Sequence, residues 1–346
     1  MDRSQKIQIA FNASCLHPNA VGGWARYTVS LIEFLRKFHS DEINIHELWN
    51  EKNIVHSFWE QFSLRNLLRA RSIALLHSPA NGGIPLFQNG VPSILTVHDL
   101  FSEEDFEWRS AFLSLRAFKQ AMRYKIDWWI SLKRCRKIIA VSEFTKGQLL
   151  KIGIPEDKVS VILEGVSPTI KFRAEKFEDL NSMSYLIYVG TTAPRKRVER
   201  LVERFLETNL GLKLVIVGPS AVPQFAKHPL IVYRTGLNDE ELSSLYSNAL
   251  CFVTFSEKEG FGLPLVEAMA CGTPVVFTGG GAIAEVVGKG GLQIQETDLA
   301  ATLKDLVESP QKLANLKDHA FHQAKKFSWE TCAKQTVELY KSVLIS

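Results

Sequence analysis

An alternation that runs twice along this chain limits its fold more than any other feature. Short runs of β-branched and aliphatic residues are each followed by longer segments with apolar residues at helical spacing. That pattern builds βα units whose strands lie parallel in one sheet. In the first half, Ile7 to Phe11 reads as a strand, Trp24 to Phe38 as an amphipathic helix, and Ser93 to Val97 and Lys137 to Val141 as further strands. Ser142 sits at a helix N-cap, and Glu143 complements the dipole in the first turn of a helix through Leu150. Around Lys171 to Ser184 the chain turns polar and loses its period, as a linker does.

The pattern then restarts. Tyr185 to Val189, Leu212 to Val217, Cys251 to Phe255 and Pro274 to Thr278 read as strands. Val198 to Thr208, Asp239 to Ser247 and Pro264 to Cys271 read as helices, with a helical region at the end. The expected fold class is α/β with two Rossmann-like parallel-sheet domains, residues 1–172 and 185–328, joined by a linker at 173–184.

A chain of 346 residues is long enough for two such cores. Its 46% apolar and 23% charged residues exclude a fibre and a disordered tail. The start, Met1 to Lys6, is polar, and the run Ile7 to Phe11 is too short for a signal-peptide core or a membrane span, so the protein is expected in the cytosol. The five cysteines (Cys15, Cys135, Cys251, Cys271, Cys332) form no CxxC pair and are expected to be reduced and mostly buried, with no metal site.

A formal net charge of +4 does not argue for nucleic acid, and none is expected as a partner. The distribution of charge is more telling. Between Arg109 and Lys137 stand nine Lys or Arg and one acid, Asp127, interleaved with Phe112, Phe118, Tyr124, Trp128 and Trp129. Such a basic, aromatic face suits peripheral contact with anionic lipid on the inner side of a cytoplasmic membrane, or else a pair of ordinary solvated helices.

The segment that carries most chemistry is Phe255-Ser-Glu-Lys-Glu-Gly-Phe-Gly-Leu-Pro-Leu-Val-Glu-Ala-Met-Ala-Cys-Gly-Thr-Pro. A strand ends, a glycine-containing loop follows, and Pro264 stands where a helix begins. Gly260 and Gly262 then lie just outside the helix N-terminus, where free N–H groups and the dipole suit a phosphate. Glu259 on the loop and Glu267 within the first turn flank that place. Taken singly, they read as a solvated loop charge and a dipole partner.

The second segment is Tyr188-Val-Gly-Thr-Thr-Ala-Pro-Arg-Lys-Arg-Val-Glu-Arg-Leu. It delivers Arg195, Lys196 and Arg197 to the start of a helix, where cations meet the positive dipole end. A solvated face would explain them. A diphosphate would explain them and remove the conflict, since Arg grips phosphate bidentately and Lys adds a point charge.

In the first half, Asn19-Ala-Val-Gly22-Gly23-Trp-Ala-Arg26-Tyr27 opens a helix, and its glycines allow close approach of backbone to a phosphate or form a plain turn. His98, in Thr96-Val-His98-Asp99-Leu100, stands at the carboxyl end of a strand, where open α/β sheets bind ligands and where structural histidines are also common.

Taken together, these strings resemble the retaining glycosyltransferases of the GT-B fold, family 4 (group 1) type. Glu259, seven residues and Glu267 match that family's acid-seven-acid signature, with Gly260, Phe261, Gly262 and Leu263 filling it intact. The loop through Arg195 and Lys196 is similar to its "VGxxxPRK" loop, with Thr191 where many members carry Arg. Ile139-Ala-Val-Ser142-Glu143-Phe144-Thr145, Ile154-Pro-Glu-Asp-Lys-Val and Leu163-Glu-Gly-Val are similar to the end of its first domain, except that Glu164 replaces the usual Asn. That exchange alters either the turn before Gly165 or the acceptor contacts. The likeness is weakest between Phe38 and Pro92.

The resemblance implies two domains facing an interdomain cleft, with the donor held by the second domain and the acceptor by the first. It implies that residues 329–346 cross back to the first domain, where Trp329, Tyr340 and Val343 can pack. It gives Glu259, His98 and Lys196 the catalytic roles, and assigns donor binding to Gly22, Gly23, Arg195, Lys196, Gly260, Phe261, Gly262, Leu263 and Glu267. It implies no cofactor and no metal, a nucleotide-diphosphate sugar as donor, and a glycan or lipid-linked glycan as acceptor. The "PRK" loop is common among bacterial mannosyl- and rhamnosyl-type polysaccharide transferases, which points to mannose from GDP-mannose in surface polysaccharide (lipopolysaccharide) synthesis. A nucleotide-sugar epimerase of the same fold, or a non-catalytic nucleotide-sugar-binding subunit, fits the same residues.

Overall fold

The computed structural model describes residues 6–13, 22–49, 59–88, 90–100, 115–175, 177–180 and 184–345. These divide into two units, one of residues 1–165 with 329–346 and one of 166–328.

The described part of the first unit holds a parallel sheet of six strands, β1 (Ile7–Asn12), β2 (Ile43–Leu48), β3 (Leu75–Ser78), β4 (Ser93–Val97), β5 (Lys137–Ala140) and β6 (Val159–Val161), in the order β2-β1-β3-β4-β5-β6. Its helices are α1 (Gly23–His39), α2 (Arg65–Ala70), α3 (Leu115–Arg134) and α4 (Glu143–Lys151). The interior strands β3 and β4 are buried at every residue, as a sheet covered on both faces requires. Ser142 caps α4 as its position implies, its hydroxyl accepting from the Thr145 N–H.

The second unit repeats the plan. Strands β7 (Tyr185–Val189), β8 (Lys213–Val217), β9 (Ile231–Arg234), β10 (Cys251–Thr254), β11 (Val275–Phe277) and β12 (Gly291–Gln293) pair in parallel in the order β12-β11-β10-β7-β8-β9. Around them lie α5 (Val198–Glu207), α6 (Asp239–Asn248), α7 (Leu263–Ala270), α8 (Ala282–Val287), α9 (Leu299–Glu308) and α10 (Pro310–Ala324). Helix α5 buries Val198, Leu201, Val202 and Phe205, spaced three and four apart, against this sheet.

The last helix, α11 (Trp329–Ile345), belongs to the first unit. It packs along α1, burying Trp329, Tyr340 and Val343, with the Trp329 ring 5.7 Å from that of Tyr27. Residues 173–184, expected as a linker, fall in the second unit. Residues 173–175 run along α6, where the Arg173 N–H donates to Ser247 and Ser244 and Asn248 donate to the Glu175 carbonyl, while Asp179 accepts from Lys213 of β8 and Arg234 of β9. Polarity at 173–175 marks a segment bonded to a helix face by its backbone. Cys135, Cys251, Cys271 and Cys332 are free and buried, and Cys15 lies outside the described residues.

Candidate active site

In the second unit the chain runs β7-β8-β9 in one direction across the sheet and β10-β11-β12 in the other, so the order reverses between β7 and β10. Loops leaving the carboxyl ends of two strands diverge at such a point and leave room for a ligand. The loop after β7 carries Arg195 and Lys196, and the loop after β10 carries Glu259.

The two loops are tied together by backbone and side chains. The Glu257 N–H donates to the Arg195 carbonyl at 3.0 Å, and Arg195 Nη1 donates to the Lys258 carbonyl at 3.0 Å. Lys196 Nζ donates to Glu259 Oε1, Ser256 Oγ donates to the same oxygen at 2.8 Å, and Arg195 Nη1 stands 3.8 Å from Oε2. Arg197 takes the left-handed conformation (φ 50°) and turns elsewhere, 3.5 Å from Glu257 and 2.6 Å from Glu296. The three-cation run therefore divides. Two cations converge on one carboxylate, and the third anchors the turn.

Helix α7 begins directly after Gly262, whose φ of 94° suits glycine. A Cβ there would also lie 2.8 Å from Leu265 Cδ1. Pro264 is the second helical residue, and Glu267 falls in the second turn, so the expected first-turn dipole role for Glu267 is corrected. Glu267 is instead buried, with Tyr246 Oη donating to its Oε2 at 3.1 Å. Phe261 and Leu263 turn their side chains into the unit, Phe261 packing edge-on against Phe327 with centroids 5.4 Å apart. Whatever these two offer a ligand is backbone. Gly260 is buried two residues ahead of Gly262.

In the first unit, Gly22 (φ 148°) precedes α1 and Gly23 is its first residue, both exposed. Asn19 to Val21 of that motif lie outside the described residues. His98 is buried at the end of β4, with Nε2 2.8 Å from the Pro79 carbonyl and Nδ1 3.0 Å from Glu164 Oε1. A contact through either ring nitrogen requires one of these bonds to open. Glu164 itself is buried, so its place before Gly165 does more than shape a turn.

Several residues of the site carried no signal of their own in the sequence. Ser256 reads as an ordinary loop serine. Gly279 follows β11, and a Cβ on it would lie 2.5 Å from the Ser256 carbonyl, so glycine there lets the loop that carries Glu259 sit low on the sheet. Tyr246 lies on α6, and its tie to Glu267 joins residues 21 apart in the chain. A run of three glycines, Gly279 to Gly281, was the one legible hint of close approach.

In the basic stretch, residues 109–114 lie outside the described residues, as do the side chains of Phe118 and Tyr124. On the described part of α3, Trp128 and Leu132 are buried, while Met122, Arg123, Ile126, Lys133 and Arg134 are exposed. Asp127 points inward, accepting from the Gly83 N–H at 3.2 Å, and burial pushes its carboxyl above the usual range. The loop bonded to this helix exposes Leu86 and Phe87. Among the described residues no helix is long and apolar enough to cross a membrane.

Two family models adjoin along the chain: "Glycosyltransferase Family 4" matches residues 21–169, and "Glycosyl transferases group 1" matches residues 170–323. O-antigen chain mannosyltransferase B of Escherichia coli is 31% identical over 238 residues, 61% of this chain and 62% of that protein. An MMP alpha-(1->4)-mannosyltransferase of Mycolicibacterium hassiacum is 37% identical over 174 residues, 48% of this chain and 41% of that protein. The chain thus spans less than two thirds of the length of each. The Anabaena protein HepE, solved in complex with UDP-glucose, superposes with a TM-score of 0.75 at 17% identity, over 97% of this chain and all of that one.

Proposed function

This chain belongs to the glycosyltransferases of family 4 and group 1 on the GT-B fold, and from that premise we propose that it moves a hexose from a nucleotide diphosphate to a glycan or lipid-linked glycan with the anomeric configuration retained. The observation that carries the reading is the meeting of Arg195, Lys196 and Glu259 at the point where strand order reverses, beside the glycine-led start of α7.

Arg195 and Lys196 are assigned to the donor diphosphate, with the backbone of residues 260–263 and the α7 dipole beside them. Glu259 is assigned to the sugar and Glu267 to the ribose hydroxyls. In the first unit, Gly22, Gly23 and His98 are assigned to the same reaction. As the bond from the anomeric carbon to the leaving phosphate oxygen breaks, negative charge grows on the diphosphate, and the two cations stabilise it without a metal ion or other cofactor. The acceptor hydroxyl oxygen bonds to the anomeric carbon on the same face, and its proton passes to the departing phosphate. The two mannosyltransferase relatives support mannose as the sugar, and GDP-mannose is the donor we propose.

A thermal-shift panel of GDP-, UDP-, ADP- and dTDP-linked sugars tests the donor, because a ligand bound by the native state raises its melting temperature. GDP-mannose is expected to raise it most. The responding sugar nucleotide should be hydrolysed slowly without acceptor. Binding with neither hydrolysis nor transfer would favour a non-catalytic subunit, and release of an altered sugar an epimerase.

Peripheral contact with anionic lipid is proposed for the exposed side of α3. Its one acid is turned inward, which leaves exposed cations beside Met122, Ile126, Leu86 and Phe87. Each cation close to an anionic surface adds about 1 kcal/mol. Co-sedimentation with phosphatidylglycerol vesicles, lost on neutral vesicles and weakened by salt, is the expected outcome. Equal absence of binding to both would end the idea.

A further inference from the structure

Both ring nitrogens of His98 are engaged inside the first unit. Nε2 faces the Pro79 carbonyl oxygen at 2.8 Å, and a carbonyl can only accept, so Nε2 carries a proton. Nδ1 faces Glu164 Oε1 at 3.0 Å. That pair is either an imidazolium donating to a carboxylate or a neutral ring accepting from a carboxylic acid.

The surroundings choose between the two. From β3, His77 is pushed down to about 3 by burial and stays neutral, its Nδ1 2.6 Å from Tyr340 Oη and its Nε2 2.8 Å from Thr96 Oγ1. From α1, Tyr27 packs at right angles to the His98 ring with centroids 4.7 Å apart, and burial holds its hydroxyl neutral. From α11, burial keeps the Cys332 thiol protonated. From α4, Thr145 offers only a hydroxyl, 3.4 Å from the His98 carbonyl. Two groups acting on the ring are acids, Glu164 and Asp99, the second accepting from Asn81 Nδ2 at 2.7 Å. Burial alone would push His98 down, but the hydrogen bond and charge of Glu164, the Pro79 carbonyl and Asp99 outweigh it and raise the ring above its ordinary value.

We propose that Glu164 is a positioning residue that keeps His98 protonated on both nitrogens, so that the ring serves the transfer reaction as a fixed cation and not as a proton shuttle. The usual Asn at this place in the resembled family can accept a hydrogen bond from the ring but brings no charge. Glu164 therefore sets the charge state of His98 in this chain, given the assignment of His98 to the reaction proposed above.

The test is histidine ring 15N NMR on the full chain between roughly pH 6 and 8, beside the pH profile of kcat. In the wild type both His98 nitrogens should show imidazolium shifts at neutral pH and hold them to higher pH than an ordinary histidine. In Glu164→Gln and Glu164→Asn, burial is less opposed, so His98 should titrate inside or below this range. In both variants kcat should then fall by about tenfold per pH unit above the new His98 pKa, with the donor KM changing little. A neutral, Nε2-protonated ring in the wild type at neutral pH would overturn the proposal, and that measurement needs no variant. Unchanged titration in both variants would also overturn it. If titration moves but the kcat profile does not, Glu164 sets the charge and it is the assignment of His98 to the reaction that fails.

Discussion

Lys196 and Glu259, 63 residues apart in the chain, meet as an ammonium donating to one carboxylate oxygen, while Arg195 stands 3.8 Å from the other. A diphosphate bound by these cations competes with that carboxylate. On the reading proposed above, Glu259 holds the place beside the two cations that a donor diphosphate would take.

On the proposed mechanism, replacing Lys196 by Ala removes one of two cations facing the growing charge. Loss of one such preorganised group lowers kcat by about a hundredfold to a thousandfold. Circular dichroism should be unchanged, because Lys196 ends a three-residue 3-10 turn and is only partly buried. Glu259→Ala is expected to fall by a similar factor. Near-normal turnover in either variant would remove that residue from the site.

Ser256→Ala tests a subtler support. Ser256 Oγ shares Glu259 Oε1 with Lys196, so its loss leaves the carboxylate bonded but less well aimed. One such bond contributes about 1 kcal/mol, or roughly fivefold in kcat/KM. An effect as large as that of Lys196→Ala would mean that Ser256 acts directly.

Gly262→Ala forces a Cβ into a left-handed residue and onto Leu265 Cδ1 at 2.8 Å. The strain is on the order of 1–2 kcal/mol. The melting temperature of the second unit should fall by a few degrees and donor affinity should drop with it. Gly147→Ala is the control, since nothing lies within 4 Å of a Cβ there and Gly147 already sits inside helix α4.

His77 gives the first unit an acid limit. Its folded pKa is held near 3, below the ordinary 6.5, so the unfolded chain binds the extra proton. Stability from this group is present above about pH 6.5 and is lost as pH falls toward 3, by on the order of 4 kcal/mol in all. Denaturant midpoints measured from pH 7 down to pH 4 should decline, and His77→Gln should flatten that decline. Tyr340→Phe, which strips the partner of His77 Nδ1, should lower stability by about 1–3 kcal/mol at pH 7.

Much of the fold was legible because its signals are local. The interior strands β4, β5, β7 and β10 are short apolar runs, and the Ser142 cap is a single residue in its expected place. Strands β2, β6, β9 and β12 escaped at sheet edges, where polar residues such as His46 and Glu47 or a glycine such as Gly291 dilute the pattern, and the interior β3 escaped because its four residues end on His77 and Ser78. The convergence of residues 195–196 with 259 was expected from two motifs, each of which places its charges at a strand end. The pairing of His98 with Glu164 spans 66 residues, and no spacing rule reaches that far. A lone Glu before a glycine reads as a turn until the fold buries it beside an imidazole.

The return of α11 to the first unit bears on how the chain comes to be folded as it is made. The second unit is one continuous stretch and can consolidate as soon as residue 328 has emerged. The first unit, begun earlier, lacks Trp329 against Tyr27 and Tyr340 against His77 until the final segment arrives. The half synthesised first is thus completed last, and until then it exposes the apolar side of α1, a surface that a nascent chain has reason to keep guarded.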